Sequence, residues 1–162
     1  TGMQSRFFAN TVAEVLNLLG DYSELNVRRC LAASYMLSSD VSAGFDPLYA
    51  NAFEKKNAAF LAHGLAFNKF TGSRGKSGSN DANAEYLAKL RKAMDQDAVT
   101  YQMTEMSKVD HGGGGTIAQY VADLNMDVID CGVPVLSMHA PFEVVSKIDT
   151  YMTYRAFKAF LK

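Results

Sequence analysis

Asp130-Cys-Gly-Val-Pro-Val-Leu-Ser-Met-His-Ala-Pro-Phe-Glu143 decides how the rest of the chain is read. Its apolar run, Val133 to Met138, reads as a short buried strand, and Pro141 starts a helical pattern that continues to the C-terminus. His139 therefore stands at the mouth of a strand, just before a helix, held by rigid elements and open to a cleft. An imidazole so placed suits a metal ligand or an acid/base. The plainer reading, which this stretch on its own favours, is a histidine that only hydrogen-bonds within a strand-to-helix turn. Both readings stay open.

Outward from it, Met126 to Ile129 reads as another strand and Ala98 to Met106 alternates as a third. Ala58 to Phe70 is a further strand region, and Leu31 to Val41 a buried strand whose polar end, Ser38-Ser39-Asp40, marks its emergence. Arg6 to Leu19 carries Phe7, Val12, Val15 and Leu19 at helical spacing, with Gly20 as C-cap. Ser23 or Asp21 caps a short helix through Arg28, and Asn80 or Asp81 caps one to about Met94. A last internal helix starts near Thr116 and runs to Leu124. Strands alternating with helices predict an α/β layered sheet in one unit.

The 162 residues are 48% hydrophobic and 20% charged, a globular balance for one domain with a sizeable core. A formal net charge of −1 argues against nucleic acid or an anionic membrane as the main partner. No apolar run approaches the roughly 18–20 residues that span a bilayer. Cys30 and Cys131 lack C-x-x-C spacing and read as reduced, mostly buried thiols of a cytoplasmic protein. The opening Thr1-Gly-Met-Gln-Ser-Arg6 has no initiator methionine and reads as the interior of a longer protein.

Three places invite chemistry. Lys76 lies in Gly72-Ser-Arg-Gly-Lys-Ser77, a loop between strand and helix, but the Walker spacing demands a glycine where Phe70 stands. That leaves a Gly/Ser turn or a substrate-contacting loop. Gly112 to Gly115 precede a helix, where bare N–H groups can face an anion or a substrate carbonyl; a hinge is the alternative. Asp40, like His139, ends a strand, and in open α/β sheets ligands gather outside the carboxyl ends of strands. A carboxylate and an imidazole meeting there make two ligands of a divalent metal.

Taken together, Thr1-Gly-Met-Gln-Ser-Arg6, Ser38-Ser-Asp-Val41, Gly72 to Asn80, Gly115-Thr-Ile117 and Leu136-Ser-Met-His-Ala-Pro-Phe-Glu143 resemble one family in order and spacing. It is the aspartyl aminopeptidase and vacuolar aminopeptidase I family of co-catalytic zinc exopeptidases. The resemblance implies a three-layer α/β/α sandwich, present only in part, belonging to an enzyme that removes N-terminal residues from peptides. It implies two divalent metals, zinc by family habit, held by five side chains. Asp40 matches the second aspartate of that set and His139 its last histidine, each on a different metal. Gly112, Gly113, Gly114, Gly115 and Thr116 match the loop on the substrate side, and Lys69 lies near a family lysine that contacts substrate. The other ligands and the general-base glutamate belong upstream of Thr1, so a fragment of this kind is expected to be inactive alone and to need its N-terminal portion. Asp46-Pro47 replaces a histidine that in some relatives reaches a neighbouring subunit. The resemblance further implies a homo-oligomer, a dodecamer in the family. Two other classes stay open: a non-catalytic, self-associating structural fragment, and a nucleotide-binding module on the Lys76 loop.

Overall fold

The computed structural model describes residues 2–74, 77–108, 110–111 and 113–162. Two helices open it, α1 (Phe7–Leu18) and α2 (Glu24–Ala32). Gly20, with φ +75°, turns the chain between them, and the Ser23 side chain accepts the Asn26 N–H at 3.0 Å to cap α2. The strands are β1 (Tyr35–Ala43), β2 (Leu65–Asn68), β3 (Phe70–Ser73), β4 (Ser77–Asp81), β5 (Tyr101–Thr104), β6 (Asp127–Leu136) and β7 (Val144–Val145). Between and after them come α3 (Ala84–Gln96), α4 (Ala118–Ala122) and α5 (Lys147–Phe160).

The main sheet has the order β1-β6-β2-β5, with β7 added against the end of β6. β1 lies parallel to β6 and β2 parallel to β5, whereas β2 runs antiparallel to β6. β3 and β4 form a separate antiparallel ribbon. Leu65, Phe67, Ile129 and Cys131 face α3 and α5, packing on Tyr86, Leu90, Met94 and Ala156. On the other side Val128 packs with Ala118 and Val121 of α4. Helices on both faces make the expected α/β/α layering.

Several local expectations change. Leu31 and Ala32 complete α2 instead of starting a strand, because Leu31 is the buried residue of an amphipathic helix already capped at Ser23. The expected strand over Ala58 to Phe70 shrinks to β2, then turns into the ribbon. Gly64 at φ +88° and Ala62 at φ +66° break the extended path before it. Asn83, not Asn80 or Asp81, caps α3, accepting the N–H groups of Glu85 (2.8 Å) and Tyr86 (3.3 Å). Met126–Ile129 and the run from Val133 belong to one strand, β6, which is buried almost throughout because both its faces are covered. Pro141 begins no helix; β7 intervenes and α5 starts at Lys147. Its first turn is tied down by Asp149, wholly buried, whose two oxygens accept the N–H groups of Ala62 and Gly64, both at 2.7 Å.

The Gly72–Ser77 loop joins two strands of a hairpin, not a strand and a helix, which removes the architecture a phosphate-binding loop requires. Gly75 and Lys76 lie outside the described residues. Cys131 is buried as expected, but Cys30 is exposed.

Candidate functional site

A row of polar side chains crosses the sheet. The register sets Ser38 beside Asp130, Asp130 beside Asn68, and Asn68 beside Thr104. All four are buried, none more than 4% exposed. Thr104 Oγ1 donates to Asn68 Oδ1 at 2.7 Å, and Ser42 exchanges hydrogen bonds with the same amide at 3.3 and 3.2 Å. From the ribbon, Thr71 Oγ1 donates to Asp130 Oδ2 at 2.6 Å. Asp130 Oδ1 has no hydrogen-bond partner among the described residues.

The alternation of a strand puts Asp40 on the same side of β1 as Ser38 and Ser42. A cavity of about 350 Å³ opens on that side, and Asp40, Asp130 and Asn68 line it together with the segment Gly113–Thr116 and His139. Two residues from distant parts of the sequence, Asp40 and His139, thus share one cavity with the glycine loop. Gly112 lies outside the described residues. A larger cavity of about 480 Å³ lies between α1, α2 and Tyr120. Its charged side chains, Arg6, Glu24, Arg28 and Asp123, are of mixed sign, and it holds no imidazole or thiol, so donor chemistry favours the smaller one.

Asp40 does not end its strand, since β1 continues to Ala43. One of its oxygens accepts the Val41 N–H at 2.7 Å. Beside it β6 comes so close that a Cβ on Gly132 would fall 1.6 Å from the Asp40 carbonyl oxygen. His139 is exposed and has φ +68°, a left-handed conformation that costs a residue with a Cβ about 1–2 kcal/mol. Strain of this kind, over-determined by its surroundings, collects at functional sites. Thr116 accepts the Ala118 N–H at 3.2 Å, so the helix beyond the loop starts later than expected and is a single short turn.

Lys69 is not among the described residues that line the cavity. It is ion-paired with Asp81 on the ribbon. Glu105 is close to both: burial, then the Asp81 charge, push its carboxyl above the usual range, and Lys69 opposes them.

The sequence reading missed the polar row. Its one visible signal is Asp130 itself, a carboxylate inside an otherwise apolar strand, where charged groups are rare unless partnered. Asn68 and Thr104 carry no such mark.

Among the described residues no three His, Cys, Asp or Glu side chains gather as a complete metal site. Asp40 and His139 are a carboxylate and an imidazole, donors that zinc takes, so they fit part of such a site in kind while falling short in number.

The sequence matches the family model for the aminopeptidase I zinc metalloproteases (M18) over residues 1–161. The chain belongs to the M18 family. A probable M18 family aminopeptidase 1 of Clostridium acetobutylicum is 58% identical over 161 residues, covering 99% of this chain and 35% of the relative. The crystal structure of an M18 aminopeptidase from Thermotoga maritima superposes with a TM-score of 0.95 at 39% identity, covering 100% of this chain and 36% of that one. A dodecamer of PhTET1, at 17% identity and a TM-score of 0.60 over 85% of this chain and 38% of that one, shares the fold alone. The chain thus spans about a third of the length of the M18 relatives it matches.

Proposed function

We propose that this chain contributes Asp40 and His139 to the dinuclear zinc site of an aminopeptidase that hydrolyses N-terminal residues from peptides. The observation that carries the reading is their convergence, with Gly113–Thr116, on one cavity. Bound zinc lowers the pKa of water and polarises a carbonyl. Asp40 and His139 bring one donor each, from β1 and from the turn after β6, and Gly113 to Gly115 leave backbone groups open to a peptide in the cavity. The general base and the remaining ligands come from elsewhere in the full enzyme, so the chain by itself is inactive. A cytoplasmic location and a homo-oligomeric state belong to the same reading, and the free thiols of Cys30 and Cys131 suit a reducing compartment.

The test completes the chain with the upstream portion of the Clostridium acetobutylicum relative. The joined protein is expected to bind two zinc ions and release N-terminal residues from peptides. Asp40→Ala and His139→Ala are each expected to lower kcat/KM by a thousandfold or more and to cost one zinc ion. Full activity and full zinc in both variants would sink the assignment. Lys69 directly follows the cavity-lining Asn68; it is read as a substrate contact, and Lys69→Ala is expected to raise KM while leaving both zinc ions bound.

A second reading rests on exposed apolar side chains of the first helix, Phe7 at 78% and Leu18 at 85%. In it the chain is a non-catalytic, self-associating unit. A stable oligomer of the 162-residue chain in light scattering supports it, and a monomer counts against it.

A further inference from the structure

The loop that carries His139 is closed by a side chain to which nothing above gives a role. β7 pairs Val145 with Val135 and Val144 with Leu136, so the chain leaves β6, makes a tight excursion and returns to the same strand. Within the excursion Ser137 has φ +59° and His139 φ +68°. Two left-handed residues that are not glycine require local compensation. Part of it is the Ala140 N–H donating to the Ser137 carbonyl at 2.9 Å. The other part is the His139 N–H, which donates to Glu143 Oε1 at 2.6 Å. Such a charge-assisted bond is short and about twice as strong as a neutral one. Glu143 is itself fixed, because the next residue enters the β7 pairing.

We infer that Glu143 is a positioning residue for His139: its carboxylate holds the histidine backbone left-handed, and thereby holds the imidazole at the cavity. The inference rests on the metal-ligand reading of His139 and adds a residue to it. Glu143 touches neither the metal nor the substrate in this scheme. It acts through the backbone N–H of the ligand, in the way that groups behind a metal ligand set its orientation. Zinc takes a narrow tetrahedral geometry, so an imidazole free to swing binds more weakly even when its own chemistry is intact.

The experiment uses Glu143→Ala and Glu143→Gln in the completed enzyme, with His139→Ala as reference. Zinc affinity is read by chelator competition, and the His139 amide of the metal-free 162-residue chain by NMR. Glu143→Ala is expected to weaken the zinc held by His139 by about 10–100-fold and to move the His139 amide proton upfield, with a changed backbone coupling constant. Glu143→Gln keeps an accepting oxygen without the charge. It is expected to lose less affinity than alanine and to retain the coupling constant. Should the alanine variant not fold, the glutamine variant decides: zinc affinity and a His139 amide shift both equal to the parent's overturn the inference. Unchanged zinc affinity in Glu143→Ala, beside a lost zinc in His139→Ala, overturns the inference and leaves the site reading standing. Retained zinc in His139→Ala overturns the site reading itself.

Discussion

Asp130 and Cys131 are adjacent in sequence and face opposite sides of β6, and the two sides are built from different materials. The Cys131 side is dry. Phe67, Leu65, Ile129 and Met94 meet there, the buried Asp149 carboxylate of α5 is spent on the N–H groups of Ala62 and Gly64, and the phenol of Tyr86 is satisfied by the Met36 carbonyl at 2.9 Å. Burial pushes the Cys131 thiol up to about 12. The Asp130 side carries four polar residues in register and a cavity above them. One side holds the chain together by apolar area. The other is organised by hydrogen bonds, each of which contributes little net stability when made and costs more when left unmade. A single strand therefore serves stability on one edge of its alternation and the site on the other.

The contrast can be broken from either side. Phe67→Ala on the dry side is expected to cost the most, about 3–5 kcal/mol in urea denaturation, since a wholly buried aromatic leaves a cavity. Asn68→Ala, its neighbour on the polar side, is expected to cost about 2 kcal/mol, because the Thr104 and Ser42 hydroxyls lose their common partner. Equal costs would erase the distinction between the two faces. Asp130→Asn keeps an acceptor for Thr71 and removes a buried charge whose second oxygen is unpartnered. It is expected to raise stability by about 1 kcal/mol. A clear loss instead would mean that Oδ1 is used in solution.

The smallest effect is alkaline. The folded Cys131 thiol keeps its proton to about 12, whereas its ordinary value is 9.0. Between those values the unfolded chain binds fewer protons than the folded one, so stability falls as pH rises through that window. Denaturation midpoints of the parent are expected to drop over it, and those of Cys131→Ala to stay flatter. At neutral pH a thiol reagent is expected to label exposed Cys30 and spare Cys131.

What the sequence made legible follows the same division. Caps and hydrophobic periods are local, so Ser23, Gly20 and the layered α/β class could be read directly. Asp40 and His139 could be paired through their phrases and their resemblance to one family, and the fold brings both to one cavity. The boundary at Leu31 could not be read, because a helix ending on a buried leucine and a strand beginning on one look alike over a few residues. The link between Lys69 and Asp81 could not be read, because the two become neighbours only when the ribbon folds back. Apart from Asp130, the polar row was invisible for a similar reason. Ser38, Asn68 and Thr104 are ordinary residues that become a unit only through the register of four strands.

Gly132 gives the crowding beside Asp40 a consequence for variation. A buried strand position normally accepts several small or branched side chains. Here any Cβ would overlap the Asp40 carbonyl oxygen. A saturation library at position 132, selected only for folding, is therefore expected to return glycine alone, while neighbouring Val133 and Cys131 tolerate exchange. That position is a bottleneck through which every functional descendant of this sequence has to pass unchanged.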